Sequence, residues 1–140
     1  MRRKIRHIGM VGVLTALLTA IVAPTPAQAA SAPTTSPSAA SRVFQSNSAF
    51  TCESGYACAA VPYGSGWYIF KFYNYGTYYL SNWYGTGTAF NDQTGGAAMK
   101  LYNSSGTQVE CIQGQTPEAH YDQNVDWTPI GNIRLTSSTC

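Results

Sequence analysis

Few residues in this chain could do chemistry. Of its two histidines, His7 sits in the basic start of the chain, which leaves His120. Asp122 stands two positions on and serines are plentiful, so a Ser-His-Asp relay is the first arrangement to test. It fails on context: no Gly-x-Ser-x-Gly elbow is present, and His120 lies in a polar stretch that reads as exposed loop. A glycosidase needs two carboxylates held across a cleft. The six acids, Glu53, Asp92, Glu110, Glu118, Asp122 and Asp126, offer many pairs, and no pair is set apart by its surroundings. No Gly-rich phosphate loop occurs. Asp122-Gln123-Asn124-Val125-Asp126 begins like a calcium loop. Trp127, however, stands where the sharp turn needs Gly, and Ile133 where a bidentate acid is needed. No catalytic residue, cofactor or metal ligand is assigned, and the expected class is non-enzymatic.

The cysteines are more informative. Cys52, Cys58, Cys111 and Cys140 are an even set, which in an exported chain implies two disulfides and three connectivities. Cys52 and Cys58 form the natural local pair, with Gly55 free to turn between them. That leaves Cys111 with Cys140, pinning the C-terminal end to the middle of the domain. Zinc is the weaker reading, because Cys-x5-Cys is loosely spaced and His120 is not placed as a partner. Asn103-Ser104-Ser105 is formally a glycosylation sequon, and a tight turn explains it equally well.

These residues must be positioned by an unusual aromatic stretch. More than half of residues 67–84 are aromatic. Rings at this density build the core of a small β protein or line a binding face, each burying roughly 150–250 Å². Alternation puts Tyr68, Phe70 and Phe72 on one face of a strand, and Trp67, Ile69, Lys71 and Tyr73 on the other. Asn74-Tyr75-Gly76 signals a turn and 77–80 a returning strand, so a β-hairpin is expected, with one face in the core and the Lys71 face partly wet.

Around this stretch the chain divides into three. Arg2, Arg3, Lys4 and Arg6 precede an apolar run over 8–22, and Ala27-Gln28-Ala29 is a small-x-small cleavage site, so 1–29 read as a signal peptide. Residues 30–49 are rich in Ala, Ser, Pro and Thr and read as a flexible linker or pro-segment. Residues 50–140 form one small domain. After cleavage four basic residues face six acids, a net charge of −2, so no basic patch argues for nucleic acid or an anionic membrane. The mature chain is expected to be extracellular and monomeric.

Turn residues recur along the domain, and no segment keeps a 3.6-residue apolar period. Short strands between such turns predict an all-β sandwich or barrel. A second hairpin is expected from 98–102 and 107–112, and a last strand over 130–135 with Ile133 and Leu135 inward. Residues 116–126 are polar and read as a loop.

Tyr78 followed by six residues and Gly85 has the aromatic-x6-glycine form of βγ-crystallin Greek keys. Cys52-Glu-Ser-Gly-Tyr-Ala-Cys58, Met99-Lys-Leu-Tyr102 and Thr107-Gln-Val-Glu-Cys111-Ile112 together resemble the small secreted actinobacterial peptidase inhibitors of the Streptomyces metalloproteinase inhibitor type. The resemblance covers most of 50–140 at low identity. It implies a disulfide-bonded, βγ-crystallin-like Greek-key sandwich that inhibits an extracellular bacterial zinc metalloprotease through a substrate-like loop. The family's scissile bond falls here on Cys111 and Ile112. The family's second cysteine follows a few residues later, whereas here the next is Cys140, so the clamp on the loop is longer. The crystallin calcium motif starts at Asn91-Asp92-Gln93-Thr94 and breaks at Gly95-Gly96. Two alternatives stand beside inhibition. One is a carbohydrate or cell-wall binding module that uses exposed aromatics. The other is a crystallin-like structural or killer-toxin-like protein.

Overall fold

The structure, a computed structural model, describes residues 30–115 and 120–140, with the backbone alone at 120–123. The expected signal peptide, Glu118 and the side chains of His120 and Asp122 lie outside the described residues. The described chain is all-β: β1 Thr34–Ser36, β2 Ser41–Gln45, β3 Ala57–Tyr63, β4 Gly66–Phe72, β5 Gly76–Ser81, β6 Thr86–Asn91, β7 Ala98–Asn103, β8 Gln108–Gln113, β9 His120–Asp126 and β10 Ile130–Thr136. They form two antiparallel five-stranded sheets, in the orders β1-β5-β10-β7-β8 and β2-β4-β3-β6-β9.

The sheets face each other across one apolar core. Phe70, Phe72, Val61 and Val125 enter it from the β3-containing sheet, and Tyr78, Met99, Leu101, Ile112, Ile133 and Leu135 from the other. Period-2 alternation accounts for the inward sets of β4, β7 and β10. Strand β3 departs from it, because Ala57 to Val61 are all buried. Its outer face is covered by the segment before it. Cys52 is bonded to Cys58, Glu53 receives the Lys71 ammonium at 2.7 Å, and Phe50 lies in the same groove as Ile69. Small residues suit a strand squeezed from both sides.

Trp127 closes the core. Its indole Nε1 donates to the Ala60 carbonyl at 3.0 Å, passing over Gly87, where a Cβ would stand 2.0 Å from that oxygen. Only a residue without a side chain admits this approach.

Three expectations are corrected. Strands β4 and β5 are not a hairpin: they lie in opposite sheets, and the 73–75 connection arches across the end of the sandwich. Phe72 and Tyr78 meet across the core at a centroid distance of 4.8 Å, a contact between two facing sheets. Residues 120–126, expected as loop, form the edge strand β9, paired along β6. Backbone hydrogen bonds to β6 hold this polar edge strand, and Val125 is buried in the core. Residues 34–36 and 41–45, expected within a linker, add an edge strand to each sheet. The Trp83 indole donates to Thr34 O at 2.9 Å, and the Arg42 guanidinium lies 4.2 Å from the Tyr68 ring centre. Pairing by backbone explains how a segment poor in large apolar residues becomes ordered here. The hairpin of β7 and β8 and the inward placement of Ile133 and Leu135 are as expected.

Candidate functional site

Both disulfides form with the expected partners, Cys52–Cys58 and Cys111–Cys140. Cys111 faces outward on β8. Ile112 does not belong to an exposed loop: it is mid-strand, opposite Met99, 4% exposed and part of the core. Its carbonyl is taken by the Asn91 side-chain amide at 2.8 Å. The Ile112 side chain is therefore not free to enter a protease pocket, and the Cys111–Ile112 pair lies in a strand where the resemblance implied a substrate-like loop. The pattern was misread because an apolar residue after an outward cysteine is also what strand alternation produces.

Asn91, which opened the incomplete calcium motif, is fully buried and structural. Besides capping Ile112 O, its Oδ1 accepts from the Gln93 N–H at 3.1 Å and so sets the turn after β6. Asp92 is engaged by the Gln115 side-chain amide. Among the described residues no three His, Cys, Asp or Glu side chains come together.

A different constellation gathers at the end of the sandwich where the chain arches from β4 to β5. Tyr73 and Tyr75 are more than half exposed, at 57% and 54%. They share a concavity of about 260 Å³ with Gly55, Asn74, Gln93 and Thr94. Three elements fix it. The Tyr78 hydroxyl donates to Asn74 O at 2.9 Å, anchoring the arch from the core. Burial pushes the Tyr78 phenol above its ordinary pKa, so it remains a donor well into alkaline solution. Gly55 N donates to Asp92 O at 2.8 Å and Asp92 N to Tyr56 O at 2.9 Å, which lock the disulfide loop against the turn after β6. Tyr56 packs on Tyr73 at a centroid distance of 5.1 Å. At Gly55 the backbone has a φ of 91°, a conformation that favours glycine and brings the loop up to Tyr73.

Gln93 is the telling residue. It is 3% exposed and lines the concavity, and its Oε1 is sealed with no hydrogen-bond partner among the described residues. A buried amide oxygen left alone costs about 1–3 kcal/mol. The lining carries no carboxylate, ammonium or guanidinium. Its chemistry is that of two phenol rings, two side-chain amides and a hydroxyl: surfaces for stacking and hydrogen bonding with a neutral, hydroxyl-rich ligand.

Sequence reasoning anticipated exposed aromatics without locating them. One signal was available: two tyrosines within the turn sequence Tyr73-Asn74-Tyr75-Gly76, where a core has little use for rings. The burial of Gln93 had no sequence signal. Comparison with known proteins finds no matching protein family, no matching curated protein and no matching solved structure.

Proposed function

We propose that this chain is a secreted, non-catalytic protein that binds extracellular glycan at the Tyr73–Tyr75 concavity. The observation that carries this reading is the pair of exposed tyrosines over an uncharged lining of side-chain amides and a hydroxyl. A sugar ring presents apolar C–H faces to aromatic rings and hydroxyl donors to an amide oxygen. The cavity is smaller than the roughly 300–1,000 Å³ of drug-sized sites, which suits one sugar residue of a chain. Two disulfides, and no helix among the described residues long and apolar enough to cross a membrane, are compatible with export.

The topology supports a crystallin-type double Greek-key origin for the scaffold. Strands β3 to β6 and β7 to β10 are two four-strand units, and each contributes its third strand, β5 or β9, to the other unit's sheet. The test is pull-down on chitin, cellulose and peptidoglycan, followed by titration with soluble fragments. Tyr73→Ala and Tyr75→Ala should each weaken binding about fivefold to tenfold, from the loss of roughly 1 kcal/mol of ring contact. Absence of binding to all three polymers, or binding indifferent to both variants, would reject the reading.

Metalloprotease inhibition is a second reading, with its site moved. Val109 is 47% exposed near the start of β8, an edge strand braced two residues on by the Cys111–Cys140 disulfide. Rigid bracing lowers the entropy lost when an extended segment enters a protease cleft. Titration against a thermolysin-like enzyme, with subtilisin as control, separates the readings. Inhibition lost in Val109→Asp would favour this one.

A further inference from the structure

The outer face of the β1-β5-β10-β7-β8 sheet carries a second set of groups that the concavity does not use. Ile133 and Leu135 of β10 point into the core, so Asn132 and Arg134 point outward. Asn132 lies opposite Tyr79 on one side and Tyr102 on the other. Tyr79 is 61% exposed. Tyr102 is held in place: its hydroxyl donates to Gln108 Oε1 at 3.1 Å, and the Arg134 guanidinium lies 4.9 Å from its ring centre. Between the two tyrosines, Asn132 Oδ1 is buried and has no hydrogen-bond partner among the described residues.

The adjacent row is electrostatically odd. Arg134 lies directly opposite Lys100, two cations on one face of neighbouring strands. Like charges so placed destabilise a sheet. Neither cation forms an ion pair among the described residues, where the one salt bridge joins Lys71 and Glu53 on the other sheet. Arg134 Nε donates to Thr77 Oγ1 at 3.3 Å, which fixes the guanidinium with its terminal nitrogens still available.

We propose that this face binds a linear polysaccharide bearing acidic groups. This rests on the glycan-binding reading and adds to it a ligand class and a second surface. Tyr79 and Tyr102 are two strands apart, roughly 9.5 Å at the usual inter-strand spacing. That is about the run of two sugar rings in an extended β-linked chain. The rings lie under alternate sugars, and Arg134 and Lys100 receive a carboxylate. The anion relieves the like-charge opposition, and the planar guanidinium suits carboxylate geometry.

The test uses the mature chain with carboxymethyl cellulose and hydroxyethyl cellulose, which share a backbone and differ in charge. Affinity electrophoresis or calorimetry should show carboxymethyl cellulose bound at least about tenfold more tightly. The difference should shrink in about 1 M salt, where the screening length falls to ~3 Å. Lys100→Gln with Arg134→Gln should bring both polymers to one affinity. Tyr79→Ala should weaken both, and Tyr79→Phe should restore them. Tyr79 and Arg134 are exposed, so these variants should melt within a few degrees of the parent, which thermal melting checks. Equal binding of the two polymers, or indifference to the Lys100 and Arg134 changes, overturns the proposal. If Tyr73→Ala abolishes binding while Tyr79→Ala does not, the concavity stands and this face fails. If neither polymer binds while neutral chitin fragments do, the outcome is the same. If nothing binds, both fail.

Discussion

Replacing Ile112 by Asp should unfold this protein. Ile112 is 4% exposed, packs in the core and lies opposite Met99. Removing its side chain to the β-carbon would cost about 2–5 kcal/mol by analogy with large-to-small core changes. The aspartate adds the burial of a charge with no cation beside it, since the core cluster around it is apolar. Either the carboxyl ionises at a cost of several kcal/mol or it stays protonated and unpaired for about 1–3 kcal/mol. The sum, roughly 3–8 kcal/mol, approaches the 5–15 kcal/mol total stability of an ordinary domain. Val109→Asp, three residues earlier and 47% exposed, should change stability by no more than about 0.5 kcal/mol. Secreted yield, circular dichroism and urea midpoints of the two variants give the comparison. If Ile112→Asp folded and melted within a few degrees of the parent, Ile112 would have to be exposed. The assignment of β8 to the core would then be wrong, and the inhibitory loop implied by the family resemblance would return.

Four further outcomes follow from the same contacts. Gly87→Ala should destabilise by about 2–4 kcal/mol, read as a lowered urea midpoint, because a Cβ 2.0 Å from Ala60 O must break the Trp127 hydrogen bond and displace a buried indole. Replacing Cys111 and Cys140 by Ser should cost about 3–4 kcal/mol by the loop-entropy model for a separation of 29 residues, measured by thermal melting of both forms under non-reducing conditions. Gln93→Leu should leave the melting temperature unchanged or raise it, since an unpartnered buried oxygen is removed, while glycan affinity falls; a fall in both would make Gln93 structural. Stability should decline as pH rises through 10, because the folded state holds the Tyr78 phenol protonated above its unfolded value. The unfolded chain then releases its proton first, and Tyr78→Phe should flatten that part of the profile.

Local rules made much of this protein legible from its sequence. Turn residues between aromatic and β-branched runs gave the all-β class, because strands need no more than alternation and punctuation to be recognised. Even cysteines and one short spacing gave both disulfides, since a six-residue separation admits an easy local closure. The β7–β8 hairpin and the inward pair Ile133 and Leu135 were readable for the same reason: the signal lies within a few residues. What required tertiary structure was the choice of neighbour. Alternation in 67–84 could not say whether β5 returns beside β4 or crosses to the facing sheet, because either arrangement buries the same rings. Nor could it say that the strand holding Ile112 would turn that side chain inward. The edge strands at 34–36, 41–45 and 120–126 were invisible to composition, since backbone hydrogen bonds to a partner far along the chain hold them. Both candidate binding surfaces are of this kind. Gln93 meets Tyr73 and Tyr75 only because the arch and the turn after β6 converge at one end of the sandwich. Asn132 lies between Tyr79 and Tyr102 only because β10, last in the chain, inserts between β5 and β7.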